Sequence, residues 1–268
     1  MAILWNETVI ESLPAARQVF LELKGKRWLC RGQQRRFGTL FPTIDRNELR
    51  SVPRYQKLAL ERNSIDTFRS SARYFADPGE AASLSDDVVA IMLLRHFCVP
   101  TRLLDWTLSP WIAAFFAANA DESEDGELWT FDEPLYELLG REQWVKWPET
   151  TSDGSGDPNK WDGVRLTAFA IDEPPDWIIS GFYYPGFHRQ NAQQGAYTMT
   201  ARLGRDHAER LAELLPDHQS RHVYVIPAGL KPLLLEELRQ KHGISRGSLF
   251  PDSAGAAETA CEVFRKGV

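Results

Sequence analysis

Three short polar clusters in an aromatic-rich chain carry the side chains that could do chemistry. The first lies in Val99–Ala117. There Arg102, Asp105, Trp106 and Thr107 fall in one extended run, followed by Ser109-Pro110 and a very apolar stretch. Charged groups seldom sit unpaired in apolar surroundings, because losing their water is costly. Arg102 and Asp105 must therefore pair with each other or line a cleft. Thr107 or Ser109 can cap the following helix, and Pro110 suits its first turn, where a missing N–H costs nothing. A strand end that meets a helix start turns backbone donors outward, where an anion can sit. A purely structural turn with an internal Arg–Asp pair fits the same residues, since such pairs also imitate sites.

The second cluster is Trp28–Phe37. Trp28, Leu29 and Cys30 begin a strand, and the chain is expected to turn at Gly32. Arg31 then points into a cleft, offering phosphate or carboxylate a planar, bidentate fork. Gly32 and Gln33 flank it. Arg35 and Arg36 read as a solvated basic loop. The third cluster is Gly186–Thr198. Gln190, Asn191, Gln193 and Gln194 supply both donors and acceptors, either to a ligand or to water on a polar loop. Two aromatic side chains just before it, Tyr183 and Tyr184, can stack on a base or pack in the core. His96, at the end of a helix near Arg102, is either a packed partner of the helix dipole or a functional group.

Taken together, these clusters resemble the FRG domain family. The matching pieces are Cys30-Arg31-Gly32-Gln33, Leu94–Phe97, Pro100–Thr107, Arg189 with Ala192–Tyr197, and Ser248–Asp252. They span roughly Trp28 to Cys261. Cys30 stands where the family has Phe, one apolar residue for another. The layout of these pieces is in turn similar to that of ADP-ribosyltransferases. The resemblance implies NAD as a substrate, with Arg31, Asp105, Thr107 and Gln193 in catalytic roles. It implies Arg31, Gly32, Gln33, His96, Arg102, Trp106, Tyr184 and Gln194 as the cofactor-binding set. The transferase pattern places a Glu where this chain has Gln193-Gln194. An amide replaces it, Asp105 supplies the acid, or there is no transfer.

Bulk properties set bounds. The chain has 268 residues and 43% hydrophobic residues, enough for one large domain. Its longest apolar runs are too short to span a bilayer, and the first residues lack the pattern of a signal peptide. Three cysteines without metal spacing suggest free thiols, Cys30 and Cys98 buried, in a cytoplasmic protein. Six histidines show no paired ligand spacing, so no metal is expected. A net charge of −6 argues against broad coating of nucleic acid. A local run of Lys24, Lys26, Arg27, Arg31, Arg35 and Arg36, with Arg46, Arg50 and Arg54 soon after, nevertheless offers a basic patch for an anionic ligand or an RNA backbone.

The elements that must position these groups follow from periodicity and caps. Residues 1–25 read as an N-terminal helical segment, with the helix over Glu11–Leu23. Strands are expected at 27–30, 127–131, 196–202 and 221–226. Helices are expected at 48–75 (broken near Pro53 and Asn63-Ser64), from a Ser83 cap to 97, and at 110–118, 134–139, 206–215, 231–242 and 253–264. The Gly- and Ser-rich stretch 150–162 reads as a mobile loop. Without a regular βαβ rhythm, the class is α+β, a single mixed domain with ADP-ribosyltransferase-like sheets flanked by helices. Three functions fit. One is an NAD-dependent ADP-ribosyltransferase modifying nucleic acid, a microbial toxin or anti-phage effector restrained by an antitoxin or chaperone. Another is a non-catalytic module binding a nucleotide or RNA. The last is an interaction domain in which Arg31, Arg102 and Asp105 form one internal ion network.

Overall fold

In a computed structural model, the described residues are 5–74, 77–78, 80, 84–119, 123–145, 176, 178–182, 184, 186–200, 202–215 and 219–266. The expected loop at 150–162, Ser83 and Tyr183 lie outside them. Seven strands form one mixed sheet: β1 (Asn6–Val9), β2 (Leu29–Gln33), β3 (Leu103–Thr107), β4 (Gly126–Phe131), β5 (Ile178–Phe182), β6 (Gly195–Thr200) and β7 (Arg221–Ile226). The order is β1-β7-β4-β2-β3-β6-β5. Only β1 and β7 run parallel; the other neighbours are antiparallel. A single mixed sheet flanked by helices bears out the α+β reading.

The helices are α1 (Leu13–Lys24), α2 (Arg54–Ala72), α3 (Asp87–His96), α4 (Pro110–Ala118), α5 (Glu133–Val145), α6 (His188–Ala192), α7 (His207–Leu214), α8 (Lys231–His242), α9 (Arg246–Leu249) and α10 (Ser253–Lys266). One face of the sheet has two separate helical covers. Over β2, β4 and β7 lie α1, α4 and α8, packed on Cys30, Leu128 and Ile226. Over β3 and β6, α3 packs on Leu103, Tyr197 and Met199, with Ile65 of α2 beside it. The opposite face buries Leu29, Trp106, Trp129 and Phe131 against residues of α5 and α7.

Local chemistry explains the boundaries. Ser109 caps α4, its hydroxyl accepting from Ile112 N–H, with Pro110 in the first turn. Asp86 caps α3, and Gly243 closes α8 in the left-handed region at φ 63°. Pro53 separates a 3₁₀ turn at Asn47–Ser51 from α2, which then runs unbroken through Asn63-Ser64. The first 25 residues are not wholly helical: Asn6–Val9 adds an edge strand. The amide-rich run 188–192 is a short helix, not a loop.

The pair of helical covers leaves a seam. Between β2 and β3 only one register position is matched, Cys30 opposite Thr107. Each of these strands is matched at five positions with its other neighbour. Along β2 the helix α4 comes unusually near. A Cβ on Gly32 would lie 2.0 Å from the carbonyl oxygen of Ala113, and one on Gly126 would lie 2.4 Å from that of Ala117. Small residues on both sides allow this approach.

Candidate functional site

Beyond the Cys30–Thr107 pair the seam opens into a cleft of about 390 Å³. The end of α3, the strands β2 and β3, and the loop at Arg46 form its polar head. Phe37, Phe116 and Phe250 form its apolar wall.

Arg31 does not follow β2; it lies inside it, opposite Trp129 of β4. Its Nη1 donates to the backbone carbonyl of Asp105, 2.8 Å away, a side-chain bond across the open seam. The same nitrogen lies 3.7 Å from Asp105 Oδ2. Arg31 Nε is buried with no hydrogen-bond partner. Burial, then Arg46 and Arg95, press the Arg31 pKa down to about 9 against the pull of Asp105.

Asp105 is clasped from the other side by Arg95, with Nε at 2.8 Å and Nη2 at 2.6 Å from the same Oδ2. Burial would raise the Asp105 pKa, but Arg95 and then Arg31 outweigh it and hold the carboxyl below the usual carboxylate range. Asp105, its side chain 39% exposed at the cleft, thus pairs with Arg95 and Arg31. It does not pair with Arg102. Arg46 joins the cluster through the 3₁₀ turns after Pro42, its Nε donating to the Phe41 carbonyl at 2.6 Å. No carboxylate pairs with it among the described residues.

Several expected site residues sit elsewhere. Arg102 is 1% exposed and outside the cleft. Its guanidinium is held by Glu61 of α2, with Nε 2.8 Å from Oε2. Four residues nearer the start of α2, Lys57 makes a second buried pair with Asp45 at 2.7 Å. The side chains at i and i+4 share a helix face, so these two ion pairs seat α2. Trp106 borders the cleft, but its indole is buried, donates to Thr198 Oγ1 at 2.8 Å and packs edge-on against Phe131. It offers no shelf for a base. Tyr184 lies outside the lining and packs on Phe187. Gln194 is exposed, in the left-handed region at φ 46°, and holds the turn by accepting from Leu108 N–H.

Others do converge. Gly32, Gln33, Thr107, Gln193 and His96 all border the cleft. The Thr107 hydroxyl donates to the Gln193 carbonyl at 2.7 Å, and the Gln193 amide donates to Leu249 at 3.1 Å. The Gln33 amide donates to the Thr39 carbonyl. His96 Nε2 meets Tyr197 Oη at 3.1 Å, and burial lowers its pKa to about 4, so it is neutral at pH 7. Arg189 ties α6 to the His96 carbonyl and to Asp252, and its guanidinium lies over Phe250. The pieces Leu249-Phe250 and Asp252 therefore close one side of the cleft.

Sequence reasoning missed Arg46 and Arg95 as members of the head. Arg95 stood within the family piece Leu94–Phe97, in the last turn of a helix, with no role of its own assigned. Arg46 stood only among the arginines that trail the basic run. The expected basic patch is divided. Lys24–Arg27 and Arg35-Arg36 flank β2, a five-residue strand roughly 15 Å long at about 3.3 Å per residue. Arg31 between them faces inward. Cys98 is exposed at the cleft rather than buried, while Cys30 is buried as expected.

The polar pieces that matter most fall in one stretch, from the approach to β2 through α3, β3 and α4. Residues 26–126 match the FRG domain. This part of the chain is an FRG domain. The family resemblance read from the motifs is thus borne out over that segment, and Arg31, Arg46, Arg95 and Asp105 all belong to it. Gln193 and Phe250, which complete the cleft, lie beyond it. No curated protein and no solved structure matches the chain. Among the described residues, no helix is long and apolar enough to cross a membrane.

Proposed function

We propose that the chain binds a phosphorylated nucleotide in this cleft, with NAD the first candidate. The observation that carries the reading is a surplus of guanidinium charge at one end of a cleft whose other wall is aromatic. Arg31, Arg46 and Arg95 face a single carboxylate, Asp105. Guanidinium forks suit phosphate oxygens, and Phe37, Phe116 and Phe250 suit a base or nicotinamide ring. Mostly apolar clefts with a few convergent polar groups are the usual form of such sites.

ADP-ribosyl transfer to nucleic acid is the second reading. It is favoured by the convergence of Arg31, Thr107 and Gln193 on one open cleft. Transfer would rest on positioning and charge stabilisation, because Asp105 is committed to two arginines and the Gln193 amide to Leu249. A toxin or phage-defence role under the control of an antitoxin belongs to this reading.

Calorimetric titration of NAD into the wild type and Arg46→Gln tests the binding proposal. Saturable binding that weakens at least fivefold in the variant supports it. No binding by the wild type of NAD, ADP-ribose or AMP refutes it. Incubation of labelled NAD with RNA, DNA and protein mixtures tests transfer, and label left only on free nucleotide rejects it.

A further inference from the structure

We infer that the head of the cleft is a subsite for a phosphomonoester, a single phosphoryl group carrying two negative charges, supplied by a nucleoside monophosphate. The inference rests on the nucleotide reading and deepens it. Charge count is the first reason. Three guanidiniums, Arg31 from β2, Arg46 from the preceding loop and Arg95 from α3, are set against Asp105. That leaves two positive charges unanswered among the groups of the head.

Footprint is the second reason. Arg31 and Arg95 converge on one oxygen, Asp105 Oδ2, at 3.7 and 2.6 Å. One of the two surplus charges is therefore gathered at that oxygen, and Arg46 lines the same head. A pyrophosphate diester spreads its two charges over two phosphorus centres; a terminal phosphate concentrates them on one. Unused donors are the third reason. Arg31 Nε is buried and unpartnered, and Arg46 spends only its Nε, on the Phe41 carbonyl. A buried donor left without a partner is costly, and phosphate oxygens would satisfy it.

The titration of the ligand itself gives a clean signature. A phosphomonoester loses its second charge near pH 6, so between pH 7.5 and pH 5 its dianion falls about tenfold. NAD has no such step. The protein groups facing the head keep their charge over this range. His96 titrates near 4, Asp105 lies below the usual carboxylate range, and Arg31 titrates near 9. Arg46 and Arg95 are guanidiniums, Arg189 is paired with Asp252, and the Cys98 thiol stands at the rim beside Arg95.

The experiment is calorimetric titration of AMP, adenosine, NAD and a 5′-phosphorylated RNA trimer into the full chain at pH 7.5 and pH 5. AMP is expected to bind at least tenfold more tightly than adenosine at pH 7.5 and to lose about tenfold by pH 5, while NAD stays level. Arg46→Gln should erase most of the advantage of AMP over adenosine, and Arg46→Lys should restore part of it. If AMP and NAD bind alike at both pH values and both bind more tightly than adenosine, the nucleotide reading stands and the phosphomonoester subsite is refuted. If none binds, the nucleotide reading itself falls. A trimer that outbinds AMP tenfold would refute the nucleoside monophosphate as the source and assign the subsite to a nucleic-acid end.

Discussion

Removing Glu61 should take its carboxylate partner from a guanidinium buried in the core. Arg102 and Glu61 are 1% and 3% exposed, with Nε 2.8 Å from Oε2 and Nη2 on the same oxygen. At an effective dielectric of about 20 the gross attraction is about 6 kcal/mol. Desolvation of both ions offsets most of it, so the pair as such stabilises little. Breaking it is different. Glu61→Ala takes the carboxylate away from the buried guanidinium, an effect of about 3–5 kcal/mol. At about 2–4 °C per kcal/mol for a chain of this size, the midpoint should fall by roughly 6–20 °C. Replacing both partners together, Glu61→Leu with Arg102→Met, should recover stability to within about 1–2 kcal/mol of wild type. Urea unfolding of the two single variants and the double gives the coupling. NAD affinity of the double variant should stay within twofold of wild type, because Arg102 lies outside the cleft. A Glu61→Ala cost below about 1 kcal/mol would refute the reasoning. So would a folded double variant that no longer binds ligand, which would place Arg102 in the site after all.

Gly32→Ala should displace α4 from the sheet, since the added carbon meets backbone at 2.0 Å; a loss of about 3 kcal/mol or more is expected in thermal melts, and an unchanged melting point would show that α4 can yield. Asp105→Asn should lower stability by about 1–3 kcal/mol by uncoupling Arg95 and Arg31, yet leave phosphate-bearing ligands bound at least as tightly, because a competing carboxylate is gone; calorimetry showing lost binding in a folded variant would make Asp105 a ligand contact. Glu133 is buried, and burial followed by Glu137 raises its pKa to about 7 from 4.5. The folded state therefore holds this proton more tightly than the unfolded chain, and the resulting stability is complete below 4.5 and lost as pH rises through 7. Glu133→Gln should be more stable than wild type at pH 8 and equal to it near pH 4, and a difference that does not change with pH in urea titrations would count against the assignment.

Most of the frame was legible because local signals agreed. Ser109-Pro110 and Gly243 announced helix ends through caps that depend on neighbouring residues alone, whereas the cap expected at Ser83 belongs to Asp86, three residues later. The helices over 13–24 and 231–242 follow from apolar spacing. β1 was not legible: Asn6–Val9 is wholly exposed and has no alternating pattern, and its pairing with β7 depends on a partner more than two hundred residues away. Arg31 and Asp105 were rightly singled out as charges in apolar settings. Their partners were not, because the partner of a buried charge is fixed by packing. Arg102 and Asp105 are three residues apart, yet Arg102 turns to α2 and Asp105 to α3. Arg46 was legible only as one of the arginines trailing the basic run, since its place at the head of the cleft arises where the 3₁₀ turns bring it there.

The run from Thr101 to Thr107 fastens a different part of the chain with almost every residue. Thr101 bonds to Thr43, Arg102 to Glu61, Asp105 to Arg95, Trp106 to Thr198 and Thr107 to Gln193. These partners are separated from it by 10 to 92 positions. Such a knot has high contact order, and its loops must close before its contacts repay them. Residues 26–126 are thereby not a folding unit of their own. Cut out, they would lose β6 beside β3 and, because β4 begins only at Gly126, β4 beside β2, baring two strand edges to aggregation. The stretch that defines the family supplies the middle of the sheet, and the cleft waits for Gln193 and Phe250, which follow that stretch by more than sixty residues.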